Sequence, residues 1–208
     1  MLKLHRASVV ILAQSHNPSI ISPDWVRSTL SINEKEQHFV HTPPFSLFDS
    51  ASFLLTVDTD RWELVPKILD DVHVLICGQA ASSYFRVLSH IPYKRLGLNY
   101  IWAYSPSLEG EHLPQISLKI NEIDPSEILR VKNVRCGGTV EADFKTYTLR
   151  LTMNYEGHKT LRFNYNFSHD IQNWTTRKRV GAANTLLSLK TRSKEMTEAI
   201  LAGKRMEP

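Results

Sequence analysis

The sequence predicts an α+β protein, an antiparallel sheet with two long amphipathic helices packed on it. Three observations point there. Apolar residues alternate with polar ones over short runs such as Phe53–Val57, Leu98–Tyr104 and the pair TYTLRLTMNY and TLRFNYNF, the period of half-buried strands. The period lengthens to that of a helix over residues 67–90 and 179–202. The order strand, short helix begun by proline, several strands, long helix occurs twice, which suits helices segregated to one side of a sheet. A chain of 208 residues with 42% hydrophobic and 22% charged residues is ordinary globular composition and argues against disorder. The break PSLEGEHLP separates an N-terminal half (1–105) from a C-terminal half (106–208), expected to share one compact unit. The halves share little identity, so a duplicated unit and a single irregular α+β domain both stay open.

The elements follow in order. MLKLHRASVVILAQS has the outline of a secretory leader, but its uncharged apolar core is at the short limit for one and far too short to span a bilayer. A first strand covered on both faces is expected instead. Without secretion the sequons at Asn166 and Asn173 carry no meaning. Ser22, Pro23 and Asp24 read as the cap, first position and acidic first turn of a short helix. DTDR joins two alternating runs as a hairpin turn. The long helix over 67–90 contains Gly78, which costs about 1 kcal/mol relative to alanine, so packing must want a small residue there. Pro92 ends it.

In the second half LGLNYIWAY puts Leu98, Tyr100, Trp102 and Tyr104 on one face of a strand. PQISLKINEI reads as a further strand, DPSEIL as a capped turn, Gly137-Gly138 as a turn, and the two runs about EGHK as a hairpin. The last helix carries Ala182, Leu186, Leu189, Met196 and Ile200 as its apolar stripe.

Two stretches, NPSIISPDW and FRVLSHIPYKRLGLNY, resemble segments of a family of small, uncharacterised bacterial proteins. The matching residues are Asn17, Pro18, Pro23 and Trp25, then Leu88, His90, Pro92, Leu96, Gly97 and Asn99. The resemblance implies a bacterial, cytoplasmic protein and no established activity. Read physically, these residues are structural. His90 suits the negative end of a helix and its free carbonyls, Gly97 permits positive φ or close approach, and Asn17 and Asn99 tie loop backbone through Asx bonds.

Function is less legible. Cys77 and Cys136 are far apart and form neither a zinc pattern nor a disulfide framework, which suits a reducing cytoplasm. Neither HExxH nor GxSxG occurs, nor a glycine-rich phosphate loop, so no catalytic, cofactor or metal residue is assigned. The HxxH pair His38 and His41 falls on opposite faces if its segment is a strand.

Charge is the asymmetry. Residues 171–208 carry eight Lys and Arg against three Asp and Glu, while the preceding 170 carry 17 against 18. Arg177, Lys178, Arg179, Lys190, Arg192 and Lys194 are the candidate nucleic-acid contacts. They form no single stripe, because Lys190 and Lys194 share a helical face and Arg192 points away. The cations at the helix start also oppose its dipole. The leading expectation is a non-enzymatic interaction or assembly component, partnered by another subunit or by itself. Its candidate interface is the polar outer face of the C-terminal hairpin, with Arg150, Arg162 and Asn164.

Overall fold

The uninterrupted apolar run near the N-terminus becomes the middle of the sheet. In the computed structural model, which describes residues 1–106, 113, 138–156 and 159–203, strand β1 runs Leu2–Ala13. A single 3-10 turn (Pro18–Ile20) and helix α1 (Pro23–Leu30) follow, then β2 (Glu36–Thr42), β3 (Phe45–Ser50), β4 (Phe53–Asp58), β5 (Arg61–Pro66) and helix α2 (Asp71–Val87). The second half supplies β6 (Tyr93–Tyr104), β7 (Gly138–Asp143), β8 (Thr148–Glu156), β9 (Thr160–Asp170), and helices α3 (Thr176–Ala183) and α4 (Leu186–Leu201). The described strands form one sheet in the order β2-β3-β4-β5-β1-β6-β9-β8-β7, every neighbouring pair antiparallel. From β1 outward the order is β5, β4, β3, β2; from β6 outward it is β9, β8, β7.

The mixed α+β class therefore stands, and many local signals hold. Ser22 accepts from the Trp25 amide at 3.2 Å and Pro23 opens α1. Asn17 accepts from the Ser19 amide at 3.1 Å. Asp58 receives the Asp60 and Arg61 amides at 2.8 and 2.7 Å, so the DTDR carboxylate is spent on its own turn. The strands on either side of EGHK pair in register from Thr148↔Ser168 to Glu156↔Thr160.

The helices lie on one side of the sheet. Their apolar faces meet Val9, Ile11, Leu64, Leu98, Tyr100, Phe163 and Phe167, all fully buried. Three polar ties fix that layer. Tyr100 donates to the Leu186 carbonyl, Trp102 Nε1 to Ser193 Oγ at 2.8 Å, and Tyr165 bonds Thr197 at 2.8 Å. Gly78 meets its expected packing demand, since a Cβ there would stand 2.9 Å from the Ala183 carbonyl oxygen.

Several expectations are corrected. The helix expected over 67–90 spans only Asp71–Val87. Asp70 caps it by accepting the His73 amide at 2.8 Å, and Lys67 is drawn away to the Ser50 carbonyl at 2.6 Å and to Asp49. Its end precedes Pro92, and His90 is exposed and bonds no described residue; the Leu88 carbonyl is taken by the Tyr93 hydroxyl at 2.8 Å and the Ile91 amide at 3.1 Å. The helix expected over 179–202 begins earlier and is broken between α3 and α4. There Thr185 Oγ1 takes the Ala182 carbonyl at 2.7 Å and Asn184 Oδ1 accepts from Ser82 of α2 at 2.8 Å. Gly97 and Asn99 lie within β6 and not in a loop, and Gly97 does not take positive φ. The expected strand PQISLKINEI, the turn DPSEIL, Gly137 and Cys136 fall outside the described residues.

Candidate docking face

The alternation that buries Leu96, Leu98, Tyr100 and Trp102 under the helices sends Arg95, Gly97, Asn99 and Ile101 to the other side. The cross-strand register carries that parity across the sheet. One row runs Ser8, Asn99, Asn166, Arg150, Glu141 on β1, β6, β9, β8 and β7. The next runs Glu63, Val10, Gly97, Ser168, Thr148. No described helix covers this side, yet Ser8 and Val10 are only 2% and 8% exposed.

The first row is bonded side chain to side chain. Asn166 Nδ2 donates to Asn99 Oδ1, Asn99 Nδ2 donates to Ser8 Oγ at 3.3 Å, and Arg150 pairs with Glu141. A Cβ on Gly97 would come 3.3 Å from Asn166 Nδ2 and 3.7 Å from Asn99 Nδ2, so the glycine leaves room for the carboxamides to cross above it. Beside them Glu63 is shared by Arg6 at 3.0 Å and Arg61 at 2.8 Å. These groups line a recess of about 410 Å³. A neighbouring recess lined by Thr148, Arg150, Glu141 and Asp170 shares Arg95, Asn166 and Ser168 with it, so the two make one trough across β5 to β7.

The proposed interface residues Arg150, Arg162 and Asn164 all lie on this face, Arg162 paired with Glu156 at 2.7 Å and Asn164 donating to the Thr152 carbonyl at 3.5 Å. Gly97 and Asn99, read from sequence as structural, are at its centre. Asn17, Pro18, Trp25, His90 and Pro92 are not part of it: Pro18 is buried and accepts from Ser46 at 2.8 Å, and Trp25 packs edge-on to Tyr84 in the helical layer. Sequence reasoning missed Arg6, Ser8, Arg61, Glu63, Arg95, Asn166 and Ser168. The signal was available as the opposite parity of the apolar alternation.

The basic cluster lies with α3 and α4 and is largely committed to the scaffold. Arg179 is 8% exposed. It bonds the Ile171 and Gln172 carbonyls at 3.3 and 3.4 Å and stacks 4.9 Å from the Tyr93 ring, and burial lowers its pKa. Lys178 sits 4.0 Å over the Trp174 ring. These contacts hold both charges against the residues that precede the helix, where carbonyl oxygens and a ring face offset their repulsion from the dipole. Lys190 bonds Asp71 at 2.6 Å and the Leu69 carbonyl at 3.0 Å. Arg192 and Lys194 face Glu195 and Glu198 at 4.0 and 3.8 Å. Arg177 alone of the six has no partner among the described residues. The aromatic residues that could stack bases are not free either: Phe163 and Tyr165 are buried in the core, and Tyr147 and Tyr155 pack against it half-buried.

Among the described residues no group of three His, Cys, Asp or Glu side chains converges as metal ligands would, and no helix is long and apolar enough to cross a membrane. Cys77 is buried, and burial pushes its thiol pKa far up, which leaves it a poor nucleophile. Two histidines are buried on the helix side. His16 bonds the Tyr84 hydroxyl at 2.9 Å and the Ile11 carbonyl at 3.1 Å; His169 Nδ1 bonds the Thr146 carbonyl at 2.9 Å, leaving a buried Nε2 without a partner among the described residues. Burial lowers the pKa of both. Compared with known proteins, the chain matches no protein-family model and no curated protein.

Proposed function

We propose that this chain is a non-enzymatic docking component of a bacterial cytoplasmic complex and that it takes its partner on the helix-free face of the sheet. The observation that carries the reading is the bonded row Ser8–Asn99–Asn166 above Gly97. Polar side chains held by one another on a sheet face that no described helix covers keep a fixed pattern of donors without a ligand, which is what specific recognition by a rigid surface requires. The two halves read as copies of one unit, each laying its strands outward from a central one, so the row sits where the copies join.

Photo-crosslinking in the host tests this. A crosslinking residue placed at Arg150, Arg162 or Asn164 is expected to capture a partner chain, and one at Lys194 or Glu195 on α4 is not. Capture from α4 alone, or from neither face, overturns the reading.

Nucleic acid as the partner is less well supported, because Arg179 and Lys190 would have to leave buried or paired positions to reach phosphate. Retarded migration of DNA or RNA at low salt, lost in Arg177→Glu, would restore it. Self-association has a separate support: β2 is terminal among the described strands, with Phe39 and Val40 36% and 46% exposed.

A further inference from the structure

Building on that docking reading, we propose that the recess over Gly97 is a carboxylate-binding notch, in which Arg95 and the carboxamides of Asn99 and Asn166 take an aspartate or glutamate side chain from an extended acidic segment of the partner.

The recess is rich in donors and poor in acceptors. A carboxamide nitrogen carries two N–H groups. Asn166 spends one on Asn99 and Asn99 spends one on Ser8, and the second N–H of each meets no acceptor among the described residues. Both nitrogens stand within 4 Å of where a Gly97 Cβ would be, so they face the same empty floor. The Ser168 hydroxyl, beside Gly97 in register, bonds no described residue. Arg95 lies along the same wall and forms no hydrogen bond or ion pair with any described residue, Asp170 opposite it in register included. Of the carboxylates nearby, Glu63 holds two guanidinium groups and Asp170, in the adjoining recess, accepts the Gln172 amide at 3.2 Å through Oδ1. Three arginines against one glutamate leave the recess cationic.

The geometry favours a carboxylate over a phosphate. One unengaged guanidinium beside two spare amide N–H donors matches a singly charged two-oxygen anion, whereas a phosphate dianion would bring two negative charges to that single free cation. It favours a segment over a small molecule because the recess runs on into the Thr148 and Arg150 trough instead of closing around a compact ligand.

The test uses the full chain with an N-acetylated hexaglutamate peptide, the hexaglutamine peptide and inorganic phosphate. Side-chain amide resonances of Asn99 and Asn166 are followed by NMR, and affinity by titration. Hexaglutamate is expected to shift both amides, hexaglutamine is not, and Arg95→Gln is expected to weaken hexaglutamate at least tenfold. Gly97→Val, which fills the floor and leaves Arg95 in place, is expected to abolish the shifts. Unmoved amides, binding that survives Arg95→Gln, or equal shifts from phosphate at equal concentration would each overturn the carboxylate assignment. The two readings fail separately: crosslinks from Arg150 that persist in Arg95→Gln, with hexaglutamate affinity unchanged, sink the notch and leave the docking face, while Arg95-dependent hexaglutamate binding without crosslinks does the reverse.

Discussion

Gly78 and Gly97 show how much one missing β-carbon decides. At position 78 the obstacle is backbone, the Ala183 carbonyl oxygen at 2.9 Å, which moves only if α3 moves. Alanine would gain about 1 kcal/mol of helix propensity, but forcing α2 and α3 apart costs about 1–3 kcal/mol and strains the Ser82–Asn184 bond as well. Gly78→Ala is therefore expected to lower the urea midpoint despite its better propensity, by about 1 kcal/mol net. An unchanged or raised midpoint would show that α3 yields freely. At position 97 the neighbour is the end of a side chain, Asn166 Nδ2 at 3.3 Å, which can give way. Gly97→Ala is expected to leave the urea midpoint within about 0.5 kcal/mol while shifting the Asn166 side-chain amide resonance. A large loss of stability would mean the carboxamide row is rigid enough to act as core. The sequence exposes the first glycine as an anomaly inside a helix. It marks the second only as a motif residue, because the group that needs the space lies on a distant strand.

At the scale of elements, strands were easier to read than helix ends. The apolar stripe Ala182, Leu186, Leu189 continues across the break between α3 and α4, so periodicity reports one helix. The polar demand that breaks it, Asn184 meeting Ser82 of α2, exists only once the helices pack. Likewise Gly97 and Asn99, at the start of the run LGLNYIWAY, carry loop chemistry in isolation, and only the extension of β6 back to Tyr93 puts both well inside the strand. β2 makes the sharpest prediction here. Its seven residues contain no lysine or proline, its only irregularity is a register shift between Glu36 and His38, and among the described residues it pairs only with β3. Natural edges are usually blunted by such devices, and an edge like Phe39–Thr42, which carries none of them past the shift at Glu36, recruits another strand. Light scattering is expected to show a dimer that grows with concentration and that Val40→Lys weakens at least tenfold by placing a charge on the exposed strand. A monomer at every concentration, or a dimer indifferent to Val40→Lys, rules out pairing through β2.

For the whole molecule the sheet joins two halves that each bury one histidine on the helix side, His16 at 3% exposure and His169 also at 3%. The alternation of Phe163, Tyr165 and Phe167 carries His169 onto the core face, but nothing beside His16 in sequence marks it as buried, and HxxH drew notice to His38 and His41, which lie on the outermost described strand at that end. His16 Nε2 donates to the Ile11 carbonyl, so Nδ1 accepts from the Tyr84 hydroxyl and the neutral ring is fully bonded. His169 donates from Nδ1 to Thr146, so its buried Nε2 carries a bare lone pair. Burial holds both folded-state pKa values below the ordinary 6.5, although Asp58 and Asp60 pull the other way at His16. As pH falls through about 6.5 the unfolded chain takes up protons that the folded chain refuses, so stability declines from there downward and is level above it. Each histidine contributes a slope of up to about 1.4 kcal/mol per pH unit. Because His16, bonded to β1 and α2 from the loop after β1, and His169 on β9 are buried in one packed layer, the two protons are expected to act on a single unfolding transition with a combined slope of up to about 2.7 kcal/mol per pH unit. Urea titrations between about pH 5 and 8 measure it. His169→Gln should remove about half the slope, and a stability that stays level down to about pH 5 would mean that the folded protein protonates these rings as readily as the unfolded one.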